Sequence, residues 1–170
     1  AVLWVHPSKQ NEVKPLQWSH VYDRSAEWAK GFFWPGTDDY TAALCIPDAI
    51  RFMGSLFPGG WPALRKHNQD LILAGRKLIC DALDLEIPGP DLMIGHLASI
   101  PFGSASSPEY GFNYIPAVQE ELYAKYKIEV PIFVFPKEKP VLSIRPSAQA
   151  YNHISQYEYL ADSLKKIMRK

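Results

Sequence analysis

Residues 130–145 read VPIFVFPKEKPVLSIR. Two runs rich in β-branched and aromatic residues, 130–135 and 141–145, flank a polar stretch bounded by Pro136 and Pro140. Apolar runs of this length on either side of turn residues predict an antiparallel strand pair around a turn. Toward the C-terminus, Ser155 and Glu158 have the spacing of a capping box, and Leu160, Leu164 and Ile167 give the helix behind them an apolar face. Toward the N-terminus, residues 116–126 form a helix opened by Pro116, residues 104–111 a polar loop, and residues 93–100 a further strand. The order strand, helix, strand, strand, helix places the chain in the α/β class, as an α+β arrangement. It consists of a small antiparallel sheet with helices packed on one side.

Upstream, residues 61–83 carry Leu64, Leu71, Ile72, Gly75, Leu78, Ile79 and Ala82 on one helical stripe, with Pro62 tolerated in the first turn. That stripe is a core face. Pro58-Gly59-Gly60 separates it from a helix expected over residues 40–56, in which Pro47 bends or breaks the axis. Residues 7–35 are irregular and hold Trp18, Tyr22, Trp28, Phe32, Phe33 and Trp34, so much apolar surface that an interface is expected there. Residues 1–6 read as a short buried strand closed by Pro7. A strand at that position looks cut from a larger sheet, and the chain is expected to be part of a longer protein.

Bulk composition narrows the function classes. Of 170 residues, 47% are hydrophobic and 13% aromatic, enough for a core. Lys plus Arg and Asp plus Glu number 18 each, which leaves no basic surplus for nucleic acid. No apolar run approaches the roughly 20 residues that span a bilayer, and the N-terminal stretch lacks the charged lead and small-residue cleavage site of a signal peptide. Cys45 and Cys80 are too few and too far apart for a disulfide scaffold or a zinc knuckle. They read as buried free thiols in helices, and a cytoplasmic location is expected. His6, His20, His67, His96 and His153 never take metal-ligand spacing, so no metal is expected. Neither a GxSxG elbow nor a dinucleotide fingerprint occurs.

Two places could grip anions. In Gly36-Thr37-Asp38-Asp39, Thr37 offers a hydroxyl and a backbone N–H beside an expected helix N-terminus, the geometry of a phosphate seat; plain capping by Thr37 or Asp39 is the simpler alternative. Arg145 ends a strand in Ser143-Ile144-Arg145-Pro146-Ser147 and can hold a carboxylate through two parallel N–H bonds, or serve in a structural salt bridge. Tyr151 and Asn152 follow closely, either shaping the same pocket or turning the chain.

Phe33-Trp34-Pro35-Gly36-Thr37-Asp38-Asp39-Tyr40-Thr41-Ala42-Ala43-Leu44, followed by Pro47-Asp48-Ala49-Ile50, resembles the W-x-G-T-x-D segment of class V aminotransferase-like enzymes. Ser143-Ile144-Arg145-Pro146-Ser147-Ala148-Gln149-Ala150-Tyr151-Asn152 is similar to that family's R-x-S-x-x-x-Y-N. Residues 1–5 look like the strand after its cofactor lysine. The resemblance points to the isopenicillin N epimerase-like and cysteine desulfhydrase-like branch, relatives of cysteine desulfurases, and runs over essentially the whole chain.

The resemblance implies the C-terminal portion of a pyridoxal 5'-phosphate-dependent homodimer of fold type I that acts on an amino-acid substrate. Gly36 and Thr37 match the contact to the cofactor phosphate of the neighbouring subunit, and Arg145 matches the residue that binds the substrate α-carboxylate. The Schiff-base lysine would precede Ala1, so this chain contributes no catalytic residue of its own and is expected to be inactive alone. Residues 1–39 would be a remnant of the large cofactor domain with its interface loop, 40–87 the interdomain helices, and 88–170 the small C-terminal domain. Asp38 beside the threonine must then turn its charge away from a dianion's seat. Outside that resemblance, the residues also allow an interaction module with an aromatic partner-binding loop, or a domain sensing phosphate or carboxylate.

Overall fold

The computed structural model describes residues 3–16, 28–32, 36–104, 117–134 and 140–168. Two compact units divide the chain, Ala1–Phe52 and Met53–Lys170.

The second unit holds the buried core. Its longest element, α3, runs Gly60–Leu83. Gly59 precedes it at φ 98°, a left-handed conformation that glycine adopts without strain, and Pro62 falls in its first turn, where no intrahelical donor is lost. The chain leaves through Asp84, also left-handed, with the amide of Leu85 closing on the Cys80 carbonyl at 2.9 Å. Three strands follow: β1 (Ile100–Ser104), β2 (Ile132–Val134) and β3 (Val141–Ile144), with α4 (Ala117–Tyr126) between the first two and α5 (Ile154–Met168) at the end.

The sheet is antiparallel in the order β1-β3-β2. The expected pairing of residues 130–135 with 141–145 is present, with Ile132 opposite Ile144, Phe133 opposite Ser143 and Val134 opposite Leu142. Residues 135–139, where the turn is expected, and residues 105–116, including Pro116, lie outside the described residues. Ile79 and Cys80 of α3, Leu122 of α4, and Leu160, Leu164 and Ile167 of α5 close over Ile100, Phe102, Ile132 and Ile144 of the sheet. Each large aliphatic side chain fully withdrawn from water contributes about 1.5–3 kcal/mol. The apolar stripes of the helices and the buried residues of the three strands therefore converge on one core.

Four expectations are corrected here. Residues 93–100 are not a continuous strand. Asp91–Met93 forms a 3-10 turn, Leu97 makes one isolated bridge to Ser147, and regular pairing starts at Ile100. The cause lies in α3: the buried Arg76 guanidinium donates to the carbonyls of Pro88 (3.1 Å) and Gly89 (3.3 Å) and pairs with Asp91, which pins the connection in a turn. The capping box is also shifted. The His153 amide donates to Gln156 Oε1 (3.0 Å) and the Gln156 amide to the His153 carbonyl (3.0 Å), so α5 opens at Ile154 and Glu158 stays exposed.

In the first unit, residues 40–56 form two helices, α1 (Thr41–Leu44) and α2 (Ile46–Ser55), the second continuing into the other unit. Pro47 has no N–H for the Ala43 carbonyl, so the ladder cannot continue past Cys45. Residues 3–6 are likewise not a buried strand: Leu3 is 60% and Trp4 76% exposed, and no ladder partner exists among the described residues. None of the described residues in 1–52 is buried. Cys45, expected inside, is exposed at the helix break, whereas Cys80 is fully buried. Most of the aromatic stretch 7–35 lies outside the described residues; within it Trp28 stacks on Phe32 at 4.7 Å and donates to the Val13 carbonyl at 2.8 Å.

Candidate functional site

A cleft of about 330 Å³ opens in the second unit where β3 ends and α5 begins. Arg145, Ser147, Asn152 and Tyr157 line one part of it, Lys127, Glu129 and Pro131 another. The cleft follows from the sheet register. Ile132 faces Ile144, so Pro131 comes opposite Arg145, whose amide donates to the Pro131 carbonyl at 3.0 Å. Beyond that bond Pro146 and the turn at Tyr151 carry the chain into α5, and the gap between strand end and helix is the cleft.

Arg145 is the sequence-predicted residue that reaches it. Its side chain is exposed, with the guanidinium carbon 5.9 Å from the Phe133 ring centroid, a cation–π contact on one side only. Among the described residues no carboxylate pairs with it, so the structural salt bridge weighed above is not formed there. The donor fork is thus available to a planar anion. Of its neighbours, Tyr151 points outward at 82% exposure, while Asn152 turns the chain: its Oδ1 accepts from the Gln149 amide at 2.9 Å and its Nδ2 donates to Gln156 Oε1 at 3.0 Å.

The segment carrying Arg145 is held from several sides. Ala98 N donates to the Pro146 carbonyl (3.1 Å), Ala148 N to the His96 carbonyl (2.8 Å), and Tyr157 Oη to the Ser147 carbonyl (2.6 Å). Asn68, buried on α3, donates to Gln149 Oε1 at 3.0 Å, which also accepts from the Ala150 amide at 2.8 Å. Sequence reading missed Tyr157, Ser147, Asn68, Gln149, Lys127, Glu129 and Pro131. One signal was present: Gly75 in the middle of a buried helical stripe marks a close approach, and the Tyr157 ring fills it.

Gly36 and Thr37 lie in the first unit. Gly36 sits at φ 146° with nothing near its α-carbon face, and Thr37 is exposed on a bend. The cap position of α1, Tyr40, makes no side-chain cap bond; Asp39, one residue before it, accepts at Oδ1 from the amide (2.9 Å) and hydroxyl of Thr41. Those two bonds, the hydroxyl's foremost, hold the Asp39 carboxyl below the usual carboxylate range. The Asp38 carboxylate turns along the chain to the Asp39 amide (2.7 Å). Among the described residues the Thr37 hydroxyl has no hydrogen-bond partner, and α1 is a single turn of four residues. Elsewhere in this unit Leu3, Val13, Pro15, Leu16 and Phe32 border an apolar hollow of about 570 Å³. Among the described residues no three His, Cys, Asp or Glu side chains gather as a metal site, and no helix is long and apolar enough to cross a membrane.

No family model matches the chain. It is 26% identical over 194 aligned residues to a protein of Oryza sativa subsp. japonica named "Putative L-cysteine desulfhydrase 2", covering 99% of this chain and 38% of the relative. It is 25% identical to "Probable L-cysteine desulfhydrase, chloroplastic" of Arabidopsis thaliana, covering 80% and 29%, and 26% identical to "L-cysteine desulfhydrase-like protein lolT1" of Epichloe uncinata, covering 95% and 40%. The chain thus spans about two fifths of the length of the first of these curated relatives.

Proposed function

We propose that this chain is the C-terminal part of a pyridoxal-phosphate-dependent enzyme that cleaves the C–S bond of an amino acid, in the manner of an L-cysteine desulfhydrase. The observation that carries the reading is Arg145, a guanidinium with no carboxylate partner among the described residues, on a hydrogen-bonded strand end at the mouth of a cleft. Low-identity similarity to desulfhydrases over nearly the whole chain supports it. The class V, fold type I and homodimer assignments belong to the same proposal, and rest on the motif resemblance.

The residues present are compatible with the roles assigned to them. Thr37 has a hydroxyl with no partner among the described residues, beside a glycine, and Asp38 and Asp39 are both turned into local bonds, so a phosphate could approach without meeting either carboxylate head-on. When bound, the cofactor supplies an electron sink for carbanion chemistry at the substrate Cα. This chain's share is binding and orientation. Arg145 takes the α-carboxylate through its fork and fixes which way the Cα substituents point, and Gly36 and Thr37 meet the phosphate.

Replacing Arg145 removes two charge-assisted bonds, about 3 kcal/mol, so Arg145→Ala in the full-length protein should raise the KM for L-cysteine on the order of 100-fold. Arg145→Lys should restore only part of it, since an ammonium lacks the fork. An unchanged KM in Arg145→Ala removes Arg145 from the site.

A further inference from the structure

We propose that Tyr157 is the positioning residue that aims Arg145 into the cleft. The functional arm of this inference rests on the carboxylate reading of Arg145; the structural arm does not. Arg145 has no ion pair of its own among the described residues; its guanidinium has the Phe133 ring on one side, and its direction otherwise follows the backbone that carries it. Regular sheet pairing ends at Ile144, and the next residues are held by separate bonds. Of these, the bond from Tyr157 Oη to the Ser147 carbonyl, at 2.6 Å, comes from a side chain on a rigid helix; those at Pro146 and Ala148 come from the backbone at 96–98, itself outside regular strand.

The tyrosine is fixed in turn. Its ring is 4% exposed and lies against α3 at Gly75, where an added Cβ would be 2.4 Å from Cδ1. Only a glycine leaves room for the ring to stand that close. Burial raises the phenol above its ordinary pKa, with a smaller contribution from Tyr151, so the hydroxyl keeps the proton it donates. The Tyr157 ring packs on Gly75, its hydroxyl bonds the Ser147 carbonyl, and Ser147 lies two residues along the chain from Arg145; Tyr157 and Arg145 both line the cleft. A phenol lost here would release the Ser147 carbonyl two residues from the guanidinium while leaving the aromatic packing in place.

The test is Tyr157→Phe, which retains the ring and the fold. In the 170-residue chain, the Nε–Hε resonance of Arg145 should move and its heteronuclear NOE should fall; an unmoved resonance overturns the proposal, whatever the cleft binds. In the full-length protein, Tyr157→Phe should raise the KM for L-cysteine about fivefold with kcat little changed, as expected for the loss of one buried hydrogen bond acting through uniform binding. In an Arg145→Ala background the same substitution should add nothing. An equal rise in both backgrounds would make Tyr157 a stabilising residue only and overturn the proposal. If the resonance moves but Arg145→Ala leaves the KM unchanged, the positioning stands and the carboxylate reading falls.

Discussion

Gly75→Ala tests the packing on which the cleft depends. A methyl group built at Gly75 would lie 2.4 Å from Tyr157 Cδ1, 2.7 Å from Cγ and 3.0 Å from Cε1, where ordinary carbon contacts begin near 3.4 Å. The obstacle is the root of an aromatic ring tethered through its hydroxyl, so it cannot swing aside as the end of a flexible chain would. Two effects oppose each other. Alanine in a helix interior is favoured over glycine by about 1 kcal/mol. Overpacking of a filled core costs typically 1–3 kcal/mol and sometimes more, and losing the Tyr157 bond to Ser147 adds about 1 kcal/mol. The clash wins, and net destabilisation of about 2 kcal/mol is expected. With a urea m value of about 1–2 kcal/mol/M, the unfolding midpoint followed by circular dichroism should fall by about 1–2 M. A midpoint that is unchanged or raised would show that the α3–α5 contact is loose, and would refute the claim that glycine is required for it.

Two further outcomes follow from buried groups. Arg76→Met keeps much of the volume of a side chain that is 2% exposed but strips its bonds to the Pro88 and Gly89 carbonyls and to Asp91; a loss of about 3 kcal/mol and faster amide exchange over residues 85–93 are expected, and unchanged exchange there would contradict the pinning role. Burial raises both the Cys80 thiol and the Tyr157 phenol, so the native state keeps protons that the unfolded chain releases. Stability should therefore be full below about pH 8.5 and fall as pH rises above it, and iodoacetamide should modify exposed Cys45 while sparing Cys80 in the folded chain.

Where the amino-acid sequence was readable, one physical rule acted alone. The pairing of 130–135 with 141–145 follows from two apolar runs flanking turn residues, and the stripes of α3 and α5 follow from the 3.6-residue period. It was misleading where a distant group overruled a local tendency. Residues 93–100 look strand-like by composition, but the Arg76 guanidinium, some 15 residues earlier in the chain, pins the turn that precedes them. Arg76 and Asn68 are themselves polar residues inside a helix core, and nothing in a hydrophobic pattern points to them. Ser155 and Glu158 have the right spacing for a capping box, yet Gln156 lies nearer the turn that Gln149 and Asn152 build. Arg145 is a candidate from sequence because a strand-end arginine beside small polar residues is well placed to grip a carboxylate; Tyr157 is not, because on a helix face it reads as ordinary core.

The two anion grips named from the sequence are unequal as structures, and the difference decides what each can be asked to do. Arg145 stands in a walled cleft whose backbone is bound to Pro131, Ala98, His96 and Tyr157, within a unit that closes its own core. The backbone that carries its exposed side chain is therefore held without a ligand, which lowers the part of the ordering cost that the backbone would add. Gly36 and Thr37 belong to a unit in which none of the described residues is buried, with open space around Gly36. A lone hydroxyl and amide in water gain little from a phosphate, because water offers the same bonds. The phosphate role proposed for Thr37 therefore requires a surface from outside residues 1–52 that excludes water from the bend. The carboxylate role proposed for Arg145 requires only the cleft that this chain already builds.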